Sequence, residues 1–418
     1  MKQRNRAILP VSICLSVLGL AGIVGIKQPP SVGVPKTERS PMAQPSDRVV
    51  NAQLIAANTR LSFKLFSQIL KQQPDRNIFI SPASVAFALS MTYNGAKGET
   101  QQAIAQTLEL QGMKLEDVNQ ANAALRATLT NVDPKVQLSL ANSLWVRKGE
   151  AFHPEFLQKN QNFYGAKVTD LDFSDPSTSS IINAWVKQTT NGKINQIVDA
   201  KEIKPNTILF LIDAIYFKGL WTTKFDKTKT KELPFTLLNG TQKQHPIMFQ
   251  HGQYQYYTNQ LFQAVSLPYG QGRLSLYIFV PQKNVTLKTF YNNLKAENWE
   301  QWMSEFQPEQ LLIGLPRFRL DYGLELNDTL KSLGMAIAFD ENRANFTGMT
   351  PRPAYISKVK HNTFFEVNEE GSEAAEATSV QMGTRSSPPK LIADRPFFCA
   401  IRDNQTKTLL FMGSVVEP

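Results

Sequence analysis

Near the C-terminus, residues 369–389 read EEGSEAAEATSVQMGTRSSPP, and one bond in this stretch, Arg385–Ser386, has chemistry to offer. A guanidinium next to a small hydroxyl residue suits the acidic specificity pocket of a trypsin-like protease, and Pro388 and Pro389 stiffen the chain beyond it. Upstream, Gly371 permits a hinge. Small side chains follow at Ser372, Ala374, Ala375 and Ala377, then the β-formers Thr378 and Val380. Small residues enter a packed sheet with little steric resistance. The stretch therefore reads as a long exposed loop that carries bait and could become a strand.

The rest of the chain offers no competing chemistry. Gly270-Gln271-Gly272 begins like a dinucleotide fingerprint, but Ser275 stands where the third glycine belongs and strand-like runs flank it, so a hairpin turn is expected. There is no Walker loop, HExxH or GxSxG, and no serine has the strand–turn–helix setting of an activated nucleophile. His153, His245, His251 and His361 are scattered, with no second ligand at metal spacing. The 2 cysteines, Cys14 and Cys399, exclude a disulfide framework and a Cys-rich zinc site by count; Cys399, in PFFCAI, reads as a small buried hydrophobe. No metal or cofactor is expected.

The elements that must hold the loop are legible in outline. A hydrophobic share of 42% with 25 Phe and 5 Trp suffices for a sizeable core. NAQLIAANTRLSFKLFSQILKQQ places Leu54, Leu61, Phe63, Leu65, Phe66, Ile69 and Leu70 near one helical face. SPASVAFALSMTYNGAKGET starts with Ser81 as N-cap and Pro82 at the first helical position, and Asn94-Gly95 marks its end. Strand-like runs dominate later: QLSLANSLWV, TILFLIDAIYFKG, QAVSLPYGQGRLSLYIFVP, LLIGLPRFRLD, NTFFEVNEEG, RPFFCAIRD and TLLFMGSVVEP. Helices first and strands later indicate an α+β fold, not regular α/β alternation.

The N-terminus reads as a targeting signal. Lys2, Arg4 and Arg6 precede the apolar run Ala7–Ile26, so residues 1–26 are a signal peptide or a retained signal anchor. Residues 27–50, with five prolines and no apolar periodicity, form a linker, leaving 51–418 as one large domain without internal repeats. The expected location is outside the cytoplasm: secreted, periplasmic or anchored facing outward. Of the net charge of +10, half resides in residues 1–50, and elsewhere basic residues alternate with acidic ones. Direct nucleic-acid binding is therefore not expected.

The 369–389 stretch resembles the reactive-centre loop of the serpins, and the resemblance extends over nearly all of residues 50–418. NIFISPASVAFALSMTYNGAKGET, INAWVKQTTNGKINQIV, IDAIYFKGLWTTKF, LPRFRLDYG, LGMAIAFDENRANFTGM and LIADRPFFCAI are similar to serpin segments and occur in the family's order. The resemblance implies a five-stranded central sheet, two further sheets, eight to nine helices and an exposed reactive loop. It also implies a monomeric inhibitor rather than an enzyme. A protease attacks the loop, becomes acylated, and is dragged across the molecule as the loop inserts into the central sheet. By family spacing the hinge comprises Glu369, Glu370, Gly371, Ser372, Glu373, Ala374, Ala375, Glu376, Ala377 and Thr378, and Arg385–Ser386 is the scissile bond. Gly383 and Thr384 would tune which trypsin-like enzyme is taken. Ser81, Ser84, Asp213 and His361 fall in the shutter region beneath the sheet, and Trp221 at its top. An intact fold that is cleaved without trapping, a binding or chaperone-like module, is the alternative.

Two positions depart from the family's pattern. Glu376 stands where a small inward-facing residue is usual, and an unpaired carboxylate buried there costs several kcal/mol. Asp213 stands where serpins generally have Asn; beside His361 it would favour an imidazolium and make sheet opening sensitive to pH between 5 and 8, unless the histidine is a neutral hydrogen-bonded core residue. Residues 114–135, which correspond to the heparin-binding helix of some serpins, hold few cations (Lys114, Arg126, Lys135), so no heparin activation is expected.

Overall fold

A computed structural model describes residues 50–130, 132–204, 207–371 and 389–418, with only the backbone of Asp213 and Ala214. These residues belong to one compact unit, Pro45–Pro418. The apolar leader, nearly all of the 27–50 linker, and loop residues 372–388 lie outside the described residues.

Local chemistry sets the first elements. Asn51 caps α1 (Ala52–Gln72) by accepting the Leu54 N–H at 3.0 Å, and Leu54, Leu61, Phe63, Leu65, Phe66 and Ile69 are buried along it. After β1 (Ile78–Ile80), Ser81 caps α2 (Pro82–Tyr93), with Pro82 in the first turn as expected. Burial runs almost all the way around α2, so it is a core helix rather than an amphipathic surface one. Then come α3 (Gly98–Thr107), α4 (Leu115–Thr128), β2 (Val136–Arg147), α5 (Pro154–Tyr164), β3 (Lys167–Leu171), α6 (Thr178–Thr189) and β4 (Leu209–Gly219).

The second half is mostly β: β5 (Lys231–Thr236), β6 (Gln242–Thr258), β7 (Phe262–Pro268) and β8 (Leu274–Pro281). Helices α7 (Leu287–Asn293) and α8 (Ala296–Ser304) precede β9 (Gln307–Pro316) and β10 (Phe318–Glu325). The short α9 (Asn327–Leu330) is followed by β11 (Lys360–Val367), β12 (Lys390–Ile392), β13 (Phe397–Asp403) and β14 (Leu409–Val415). Nine α-helices among the described residues agree with the expected eight to nine.

The largest sheet has nine strands in the order β1-β14-β13-β8-β7-β6-β9-β12, with β5 paired to β6. Its β8 and β13 are buried on both faces, which is why they read as unbroken apolar runs. The Gly270-Gln271-Gly272 segment is the turn of the antiparallel β7–β8 hairpin, as expected. The five strands that correspond to the central sheet form two ladders, β3-β2-β4 and β10-β11. Strand β4 lies alongside β11, yet no ladder joins them among the described residues.

The main core links helices and sheets through stacked aromatics: Phe79 on β1 is sandwiched between Phe365 on β11 at 4.5 Å and Phe411 on β14 at 5.2 Å. A second, smaller apolar cluster joins α6 to β2 and β4 through Trp145, Ile182, Val186 and Ile212. Truncating the sandwich, Phe79→Ala, leaves a cavity shared by three strands and should lower the unfolding free energy by about 3–5 kcal/mol in urea titration. A loss below about 1 kcal/mol would show that the stack does not hold β11.

Candidate functional site: a loop hinge above a gap between two ladders

Where β11 ends, the chain makes a tight turn in which the N–H of Asn368 donates to the Gly371 carbonyl at 3.0 Å and that of Gly371 returns to Asn368 at 3.3 Å. Gly371 has φ +131°, and a Cβ there would lie 2.1 Å from the Gly219 carbonyl oxygen. Only glycine fits this junction, where Gly371 also bridges Leu220 just beyond β4. The hinge expected at Gly371 therefore sits at one end of the β4–β11 gap.

Both hinge carboxylates are buried and clamped. Glu369 accepts from Arg317 Nε at 2.8 Å, from Arg317 Nη2, and from Thr230 Oγ1 at 2.5 Å. Burial pushes its carboxyl up, but Arg317 and Thr230 outweigh it and hold the group below the usual carboxylate range. Glu370 pairs with Lys227 at 2.6 Å and Lys224 at 3.4 Å. The backbone is fixed as well: Phe225 N–H donates to the Glu369 carbonyl at 2.8 Å and Trp221 N–H to that of Glu370 at 3.1 Å. The Trp221 indole N–H reaches the Asn368 carbonyl at 2.9 Å, and its ring stacks on Tyr269 at 4.5 Å. Trp221 thus lies just beyond the end of β4, against the turn that carries Gly371. Arg317, Thr230, Lys224 and Lys227 carried no sequence signal, because they reach the hinge from other elements. A cleft of about 690 Å³ opens beside the clamp, bounded by Lys227, His245, Arg317, Arg319, Glu369 and Glu370.

The other hinge and loop positions, Ser372, Glu373, Ala374, Ala375, Glu376, Ala377, Thr378, Gly383, Thr384, Arg385 and Ser386, lie outside the described residues. The described chain resumes at Pro389, whose carbonyl accepts from Leu312 N–H at 3.0 Å as β12 begins to pair in parallel with β9.

The far end of β11 is closed by the predicted shutter residues. Ser81 N–H donates to His361 Nε2 at 2.9 Å, and Ser81 Oγ accepts from Ser84 N–H at 3.2 Å. Two residues along the strand, Thr363 Oγ1 donates to the Phe79 carbonyl at 2.6 Å. An Nε2 that accepts a backbone N–H carries no proton, and burial lowers the His361 pKa to about 4. Of the two readings open for His361, this geometry favours the neutral, hydrogen-bonded core histidine over the imidazolium. The backbone of Asp213 lies opposite Asn142 in the β2–β4 ladder; its side chain lies outside the described residues.

Because the folded protein keeps His361 neutral, it refuses a proton that the unfolded chain accepts below about pH 6.5. The histidine's stabilising contribution is complete above that pH and is lost as the pH falls toward 4. Between pH 7 and pH 5 the wild type should lose about 2 kcal/mol more stability than His361→Gln, measured by urea unfolding at each pH. Identical pH profiles would contradict a neutral buried His361.

The family model for Serpin (serine protease inhibitor) matches residues 56–418. Serpin B8 of Homo sapiens is 35% identical over 374 residues, spanning 87% of this chain and 99% of that protein. Leukocyte elastase inhibitor of Sus scrofa is 36% identical over 379 residues, spanning 88% of this chain and all of that protein. The solved structure of the thermophilic serpin tengpin in its native state is similar with a TM-score of 0.81 at 30% identity, over 88% of this chain and 95% of that one. With the fold, hinge and clamp in place, these matches make the chain a member of the serpin family, whose members are mostly protease inhibitors and not enzymes.

Proposed function

We propose that this serpin is a suicide inhibitor of a trypsin-like, Arg-specific serine protease. The β4–β11 gap carries the reading: two strands lie side by side without a ladder, with a glycine hinge at one end and the His361–Ser81 closure at the other. That is the form of a slot for one more strand. The target's serine oxygen adds to the Arg385 carbonyl, the Arg385–Ser386 bond breaks, and the serine's proton leaves on the Ser386 amine. The target stays esterified to Arg385. With one loop end released, residues from Ser372 onward add between β4 and β11 while Glu369 and Glu370 keep the hinge anchored.

Trapping is a race between insertion and hydrolysis of the ester, and each ~1.4 kcal/mol on the insertion barrier changes the rate tenfold. On the inserted strand Ser372, Ala374, Glu376 and Thr378 share the inward face. Glu376 favours the second reading, a serpin cleaved as a substrate or acting as a binding module. The basic n-region and apolar run support export, with residues 27–50 standing the domain off a membrane if the leader is retained. The dispersed charge supports working without nucleic acid or heparin, and the family resemblance supports a monomer. In and around α4, Lys114 and Lys135 are exposed but Arg126 is folded against Gly165, so no basic stripe is presented.

Incubation of the full chain with trypsin should yield a complex that survives a denaturing gel and a released peptide beginning at Ser386 by mass spectrometry. Clean cleavage after Arg385 with no such complex would favour the second reading. In that event a complex gained by Glu376→Ala would assign the failure to the buried carboxylate.

A further inference from the structure

Gly371 already stands in register with both edges of the gap. It bridges Asn368 in the turn after β11, with hydrogen bonds in both directions, and it bridges Leu220 just beyond β4. Both bridges are antiparallel, so a strand that continues from Gly371 into the gap has its pairing fixed against either neighbour. Counted from these bridges, residue 374 falls between Phe365 and Phe217, residue 376 between Thr363 and Ile215, and residue 378 between His361 and Asp213. His361, Thr363 and Phe365 are buried along β11, and Ile215 and Phe217 along β4, where they join the main core. Residue 376 therefore enters on the core face, and in this chain it is a glutamate.

The position that receives it offers no counter-charge. Ile215 is apolar, and Thr363 gives its hydroxyl proton to the Phe79 carbonyl at 2.6 Å, so its oxygen can only accept. Of the diagonal neighbours, Phe365 and Phe217 are apolar and position 213 is a second acid. His361 is held neutral by the Ser81 N–H on Nε2, and a hydrogen bond from its Nδ1 would leave the carboxylate's charge unpaired. The flanking strands place Leu140 beside Ile215 and Tyr322 beside Thr363. Beneath them, α2 packs on β4 and β1 on β11, and neither element contains a charged residue. A carboxyl that brings its own proton fits better, because it can donate to Thr363 Oγ1. By the same count Glu373 falls on the opposite face, between Glu366 and Lys218, where a cation is at hand and it can stay ionised.

We infer that loop insertion takes up one proton, carried by Glu376 into the position between Thr363 and Ile215, so that trapping quickens as the pH falls. This rests on the insertion mechanism proposed above and couples it to a proton.

The test uses the full chain with its loop cut by a metalloprotease, which forms no acyl-enzyme, and follows the growth of heat resistance with time as the measure of insertion. Between about pH 8 and about pH 6 the wild-type rate should rise about tenfold, while Glu376→Gln inserts at one rate throughout. Glu373→Gln should keep the wild-type slope, since only a slip of one residue would exchange the two faces. In weakly buffered solution near neutral pH, complete cutting should take up about one more proton per chain in the wild type than in Glu376→Gln, with hydrolysis of the bond contributing equally to both. Parallel pH profiles for these two chains, or equal proton uptake, overturn the inference and leave insertion standing. A slope lost in Glu373→Gln and kept in Glu376→Gln overturns the pairing on which it rests. No gain of heat resistance in any cut chain at any pH overturns insertion and the proton coupling with it.

Discussion

Among the described residues, strands β4 and β11 run side by side without forming a ladder, and much of the rest of the molecule can be understood from that one omission. Backbone N–H and C=O groups on facing strand edges are the strongest local invitation to pair. Filling the gap with a strand of about ten residues would form on the order of ten or more hydrogen bonds, each contributing about 1 kcal/mol net. Under the insertion proposed above, a fold that leaves such a gain unrealised would be held by a barrier, in a kinetically trapped state.

The barrier has identifiable parts. At the hinge end, Gly371 packs against the Gly219–Trp221 backbone, and two buried carboxylates are met by Arg317, Thr230, Lys224 and Lys227. At the far end His361 and Thr363 tie β11 to the backbone of Ser81 and Phe79. Phe79 extends that tie into the core, where its ring lies between β11 and β14. Both ends are satisfied and buried, while no ladder joins the two strands among the described residues. The arrangement stores a conformational change without leaving the hinge loose. In the mechanism proposed above an anchored hinge matters, since an inserting loop can pull a bound protease only against something fixed.

Much of this was legible in the sequence. The apolar face of α1, the Ser81 cap of α2 and the strand runs that became β2, β4, β8, β13 and β14 all follow from periodicity and capping chemistry. LLIGLPRFRLD was one run in the sequence but two strands of different sheets in the fold, because Pro316 has no N–H with which to continue a ladder. The long β5–β6 hairpin was missed: its strands are largely polar and solvated. Its signal was Asn239-Gly240, with Gly240 at φ +82°, the dipeptide expected at a tight hairpin turn. The hinge glycine was readable because backbone needs are local. The clamp was not, since Arg317 stands 52 residues from Glu369 and Lys227 stands 143 from Glu370. The charge state of His361 was left open between two readings for a related reason: it depends on a backbone N–H 280 residues away and on burial, neither of which a one-dimensional pattern carries.

The central claim is that the gap between β4 and β11 receives the loop. Hydrogen exchange of the peptides covering 209–219 and 360–367, compared in the full chain before and after loop cleavage, tests it most directly. The account predicts that amides of both strands exchange much more slowly once the loop is cut, because a new strand supplies their missing partners. Unchanged exchange in both strands after complete cleavage would contradict it.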